Sequence, residues 1–316
     1  MGLFGKKNEK ELSSVKPGGD GIVILSSTEK GMCGGRDASL DTKAPKTIGS
    51  GEMVLFDVTS VLPSAGETDR IGFVSAFAIP SEGGGTFLLL EKGAGFRRRG
   101  ERAIEKALVK EDVMPSLDAL ARDCDLAKQN GYHSETHGLP ENFGGSVFVL
   151  YASGEKISFS DNQSPILSAR TGEKIVSLFE KAMRKEKIAL PDADDLAGIE
   201  FFEDRKRNGF TSASLTLKDD GTGINRKSAR YEDPRVYESE KQVDAETVAA
   251  IKKTIADCDL FAWEKLPDAE YDFGKNKKLT FLFKNGTQIT VTGGKRVPRQ
   301  ISRGFFEIEL ELATKN

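Results

Sequence analysis

A five-residue pattern occurs twice in this chain, as Arg122-Asp123-Cys124-Asp125-Leu126 and as Ala256-Asp257-Cys258-Asp259-Leu260. The residues around each copy match as well. Gly154, within Tyr151 to Ile157, answers to Gly286, within Phe283 to Ile289. Upstream, Gly72-Phe73-Val74-Ser75-Ala76 answers to Gly209-Phe210-Thr211-Ser212-Ala213. The cysteines are 134 residues apart, the two later glycines 132 and the upstream pair 137, so the copies differ by short insertions in loops. A period of roughly 135 residues is too long for a solenoid repeat and suits two copies of an independent domain. At 316 residues the chain is long enough for each copy to bury its own core.

The expected first module starts near Glu52. Met53 to Val58, Ile71 to Ile79 and Thr86 to Leu90 have the β-branched and aromatic content of strands, with turn residues at Pro80 and Gly83-Gly84-Gly85. After a basic connection, Pro115 suits the first turn of a helix whose Leu117, Leu120, Ala121 and Cys124 share one face. A loop with both histidines leads to a hairpin, Val147 to Tyr151 and Lys156 to Ser160. An amphipathic helix from about Gly172 to Arg184 closes the module on Ile175, Leu178, Phe179, Ala182 and Met183.

The second module repeats the plan. Ile199 to Phe202, Phe210 to Leu217 and Arg226 to Glu232 read as strands. Asp244 is an N-cap for a helix bearing Val248, Ile251, Ile255 and Cys258. Leu279 to Phe283 and Gln288 to Thr292 form a hairpin around Asn285-Gly286, a dipeptide suited to a type I′ turn. Residues 302–313 alternate as a strand does, but Phe305, Ile308 and Leu312 also make a helical stripe, and the corresponding segment of the first module is helical. Helix is therefore expected.

These elements predict an α+β protein: two tandem copies of an antiparallel-sheet module, each with two helices packed on one face, behind a partly flexible leader. The expected divisions are a leader over 1–51, modules over 52–190 and 198–316, and a linker over 191–197. Within the leader, Ile22 to Leu25 is long enough to add an edge strand. The remainder carries too little apolar surface to offset the entropy of ordering it.

A net charge of −3 and a pI near 5.7 oppose nucleic-acid and anionic-membrane partners. Three cysteines, none close in sequence, indicate a reducing compartment and not a disulfide framework. With no apolar run near the ~20 residues of a membrane span, the expected location is cytoplasmic.

His133, Glu135 and His137 are the candidate divalent-metal ligands, since two imidazoles and a carboxylate within five residues can converge on zinc. Their spacing differs from the metalloprotease helix motif, and Gly131, Gly138 and Pro140 predict a loop. Arg97, Arg98 and Arg99 are the candidate anion-binding cluster, although interleaved glutamates favour an ordinary charged surface. Trp263, Tyr271 and Phe273 form the candidate ligand or partner loop. Cys124 and Cys258 read as packing thiols, because no histidine accompanies both. Gly-Met-Cys-Gly-Gly around Cys33 lacks the Lys-Ser/Thr of a phosphate loop. No catalytic residue and no organic cofactor is assigned. The expectation is a non-enzymatic binding or scaffold protein with a protein or small-molecule partner; the alternative is a metal-dependent hydrolase using His133, Glu135 and His137.

Overall fold

A computed structural model of the chain describes residues 15–17, 22–31, 34–62, 72–81, 84–93, 102–137, 143–204, 209–230, 235–262, 277–292 and 299–314. Among the described residues, the protein is mixed α/β, built mostly of strands in two antiparallel-rich sheets with four α-helices. It falls into two compact units, the first ending at Lys187 and the second beginning at Ile188. Among the described residues, no helix is long and apolar enough to cross a membrane.

The first unit contains β1 (Val15–Pro17), β2 (Ile22–Gly31), β3 (Gly34–Asp41), β4 (Met53–Val61), β5 (Phe73–Pro80), β6 (Thr86–Gly93) and β7 (Arg102–Val109). They are followed by α1 (Met114–Asp123), β8 (Tyr132–Thr136), β9 (Gly145–Tyr151), β10 (Lys156–Asp161) and α2 (Ala169–Met183). The sheet order is β1-β2-β3-β8-β10-β9-β4-β5-β6-β7, antiparallel except where β8 meets β10. One face packs on the helices. Phe179 of α2 is fully buried with its ring 6.2 Å from that of Phe56 on β4, and Ile175, Val176 and Met183 join the same cluster. Burying a side chain of this size contributes about 1.5–3 kcal/mol, so the apolar stripe of α2 is enough to hold it on the sheet. The opposite face is buried as well, through Phe77, Ile79, Phe87, Leu89, Phe148 and Leu150.

The second unit contains β11 (Leu196–Asp204), β12 (Phe210–Leu217), β13 (Gly223–Arg230), β14 (Val236–Val243), α3 (Ala245–Asp257), β15 (Lys277–Phe283), β16 (Gln288–Thr292) and α4 (Arg299–Glu309). Its sheet order, β14-β13-β12-β11-β15-β16, repeats β7-β6-β5-β4-β9-β10. Register repeats too. Phe56 pairs with Ala78 and Val149; Ile199 pairs with Leu215 and Phe281. Thr86–Val109 corresponds to Gly223–Val243. Even the irregularity in the first of these strands recurs, between Met53 and Leu55 and again between Leu196 and Gly198. Because a slip of one residue would exchange the two faces of a strand, matched register means that the same positions point inward in both units.

Several expectations change. Each unit has a fourth strand, β7 and β14, where a basic connection and a strand end near Glu232 were expected. Both are the outermost described strands at their edges; β14 is exposed along nearly its whole length and β7 from Arg102 to Glu105, so neither carries an apolar alternation. Asn285-Gly286 does not form a type I′ turn: only Gly286, at φ 82°, is left-handed. Its N–H donates to Phe283 O at 2.9 Å while Phe283 N–H donates to Thr287 O at 3.0 Å, the geometry of a type I turn followed by a glycine bulge. Gly154 closes the first unit's hairpin in the same way, between Tyr151 and Glu155. Residues 299–309 are helical and continue as a π-turn over Leu310–Thr314. The leader supplies three strands to the first sheet instead of one edge strand, with β3 paired to β8.

Polar clamps join the burial of Ile48 in fixing the end of that leader. Asn130, 2% exposed, donates from Nδ2 to Pro45 O and Lys156 O, and its Oδ1 accepts from Ser158 N–H. Arg122 donates to the carbonyls of Ile48 and Ser50, and Glu155 accepts from the N–H groups of Gly49 and Ser50.

Candidate functional site

The histidines lie on β8 and at its end, not in a loop. Strand pairing of β8 with β3 on one side and β10 on the other supplies the backbone partners that the short, glycine-flanked sequence does not advertise. Strand geometry places His133, Glu135 and His137 on one face. Their contacts diverge. His133 Nδ1 lies 2.9 Å from Ser160 Oγ, whereas His137 Nε2 lies 2.9 Å from Asp37 Oδ2 and its Nδ1 4.0 Å from Glu135 Oε1. The hydrogen bond to Asp37 raises the His137 pKa above its ordinary 6.5. Among the described residues, no group of three or more His, Cys, Asp and Glu is arranged to hold a metal ion.

A row of hydroxyl side chains runs inward from these histidines. Pairing sets Ser39 beside His133, His133 beside Ser160, Ser160 beside Ser146, Ser146 beside Thr59, and Thr59 beside Ser75. Thr59 Oγ1 and Ser75 Oγ are 2.9 Å apart. Beside the row is a small cavity of about 230 Å³, lined by Thr59, Ser134, Ser146, Ser160 and Asn162 among others.

Under the helices of the first unit, the Tyr151 hydroxyl donates to Asp118 Oδ1 at 3.0 Å, and Arg122 Nε donates to Asp118 Oδ2 at 2.9 Å. Burial, then the bond to Asp118, pushes the Tyr151 phenol far above its ordinary 10.0. At the matching positions of the second unit stand Phe283, Lys252 and Ala256. Lys252 Nζ reaches Asp194 Oδ1 at 3.0 Å. Both arrangements tie the first helix to the segment before the first strand, with different chemistry. They are structural.

Among the described residues, no helix covers the other face of the second sheet. A groove of about 710 Å³ crosses β11 to β14, lined on this face by Phe202, Ser212, Ser214, Arg226, Ser228 and Glu240. Phe202 is 37% exposed, and Lys278 Nζ stands 5.6 Å above its ring. Arg226 Nε pairs with Glu240 Oε2 at 2.8 Å. In the matching register, Thr59 and Glu91 of the first unit become Phe202 and Ser228, while Ser75 remains a serine at Ser212. Strand alternation within each segment predicts an outward row. The groove itself is assembled across four strands by pairing register, which no local motif encodes.

Cys124 packs against the first core, and Cys258 occupies the equivalent helix end. Arg97 to Arg99 lie outside the described residues, as do Cys33, Trp263, Tyr271 and Phe273. No protein-family model matches the chain, and no curated protein shows significant similarity to it.

Proposed function

We propose that this is a non-enzymatic binding or scaffold protein made by duplication of one α+β module, and that the open sheet face of the second module is its ligand-facing surface. The observation that carries the reading is the division of labour in the shared register. Inward positions of the central strands are apolar in both units at Phe56 and Ile199 or Val149 and Phe281, with Thr211 and Asn225 replacing Val74 and Leu88 in the second, whereas outward positions differ in both chemistry and exposure. A module copied for its fold and altered on one face is organised for recognition. Shared catalysis would instead require the same polar groups in both copies.

Screening the ¹⁵N-labelled chain against mixed short peptides and metabolites tests this. The expected result is ligand-induced shifts at Phe202, Ser212, Ser214 and Ser228. Shifts confined to the first unit overturn it.

The second reading, a metal-dependent hydrolase of the first module, draws on His133, Glu135 and His137 sharing one strand face. Titration with zinc discriminates. Stoichiometric uptake that disappears when both histidines are replaced by alanine supports the hydrolase, and absence of uptake supports the binding protein.

A further inference from the structure

We infer that β14 takes up an extended polypeptide segment carrying basic side chains at alternate positions and adds it to the second sheet as a further strand. This deepens, and rests on, the reading of the second unit as the binding module.

The first support is backbone chemistry. Among the described residues no strand lies outside β14, and every residue from Val236 to Gln242 is exposed. Which groups face outward follows from the turn between β12 and β13. Lys218 N–H donates to Thr222 O at 2.8 Å, so Lys218 and Thr222 are a hydrogen-bonded pair. Alternation along the ladder then bonds Ile224, Arg226 and Ser228 to β12 and turns the odd residues of β13 toward β14. Val236, Glu238, Glu240 and Gln242 are left directing both N–H and C=O away from the sheet. Such a row is a template for another strand. The corresponding edge in the first unit is closed at one end, where Lys110 N–H donates to Glu186 O at 2.9 Å beside the Val109–Lys187 bridge.

The second support is charge. Glu238 and Glu240 also present their side chains to the open face, next to the groove that holds Phe202. Glu240 is paired with Arg226, but Glu200 and Glu238 have no ion-pair partner among the described residues. An incoming strand with lysine or arginine at alternate positions would place cations beside Glu238 and Glu240 at the edge, and cross-strand pairs of opposite charge are favourable.

A second copy of β14 fits poorly. Two-fold antiparallel pairing sets residues of equal parity opposite each other, so the central registers place Glu238 against Glu240, Glu240 against Glu240 or Glu238 against Glu238. A further shift sets Lys241 against Lys241.

The test uses the full chain and three capped octapeptides: one alternating lysine with threonine, one alternating glutamate with threonine, and a lysine peptide N-methylated at alternate residues to remove its strand-forming donors. The expected result is that the lysine peptide binds at least about tenfold more tightly than either of the others. Amide exchange at Val236, Glu238, Glu240 and Gln242 should slow on binding. Combined Glu238→Gln and Glu240→Gln should weaken the lysine peptide about tenfold, and Glu238→Pro, which deletes an outward N–H, should abolish its binding. Because the N-methylated peptide leaves the protein unchanged, the result stands even if the proline variant misfolds. Equal binding of the N-methylated peptide overturns the proposal, as does protection of the same four amides by self-association without peptide. If peptides shift Phe202 and Ser214 but leave β14 amides untouched, strand addition fails while the open face survives as the binding surface. Absence of any response at face or edge overturns strand addition, and the function proposed above then stands or falls on the broader ligand screen.

Discussion

Asp125 and Asp259 hold the same left-handed backbone conformation, φ 52° and 48°, one residue beyond Cys124 and Cys258. They are the only described non-glycine residues with positive φ. Each N–H donates back into the preceding helix, Asp125 to Arg122 O and Asp259 to Ala256 O, and each carbonyl accepts the first bond of the following 3₁₀ turn. The backbone at this corner is thus the same in both units. Left-handed geometry costs an L-residue roughly 1–2 kcal/mol, less for aspartate and nothing for glycine. Asp125→Gly and Asp259→Gly are therefore expected to raise stability by up to about 1 kcal/mol each, and the valine variants to lower it by about 1–2 kcal/mol. Urea denaturation of the full chain, followed separately in each unit by ¹⁵N resonances, measures this.

Gly172 reverses the usual helix rule. An alanine in a helix interior normally stabilises by about 1 kcal/mol relative to glycine, but a Cβ at Gly172 would meet Leu62 at 2.6 Å. Gly304 is similar, with a Cβ lying 2.7 Å from Cys258 Cβ and 2.8 Å from its Sγ. Gly172→Ala and Gly304→Ala should each destabilise by about 1–3 kcal/mol through overpacking. Pairing Gly172→Ala with Leu62→Ala should recover part of the loss in a double-mutant cycle.

The Tyr151 phenol gives a pH dependence. Its folded pKa is raised above the ordinary 10.0, first by burial and then by the bond to Asp118. A raised folded pKa contributes stability that is fully present below 10.0 and is lost as pH rises above it. Tyr151→Phe should flatten this alkaline loss. Ultraviolet phenolate titration should show Tyr151 ionising only together with unfolding.

His137 behaves in the same sense nearer neutrality. Its pKa is raised from 6.5 by the hydrogen bond to Asp37, so the link it makes between β8 and β3 is fully present below 6.5 and weakens as pH rises through the elevated value. NMR titration of the imidazole should give a midpoint above 6.5, and Asp37→Asn should lower it. An unchanged midpoint would show that Asp37 is not its partner in solution.

How much of this was legible before the structure depends on where each residue lies. Asp244 reads as an N-cap, and its carboxylate does accept from Thr247 N–H. Gly154 and Gly286 mark their hairpins because a turn between apolar strands admits few residues at positive φ. The strands at Arg102–Val109 and Val236–Val243 escaped because strand periodicity records burial, and Glu238, Glu240 and Lys241 are exposed on both faces. β8 escaped because His133, Glu135 and His137 have no apolar alternation of their own; the neighbouring strands make them a strand. The groove lay further out of reach, since Phe202, Ser212 and Ser228 are joined only by register.

The most direct test of the shared register is the pattern of cross-strand Hα–Hα NOEs in the two halves. Matched register requires contacts at the non-hydrogen-bonded pairs Phe148–Ser158 and Phe56–Val149, and at their counterparts Thr280–Thr290 and Ile199–Phe281. A slip of one residue at any of these pairs in one half but not the other would turn matched positions to opposite faces and contradict it.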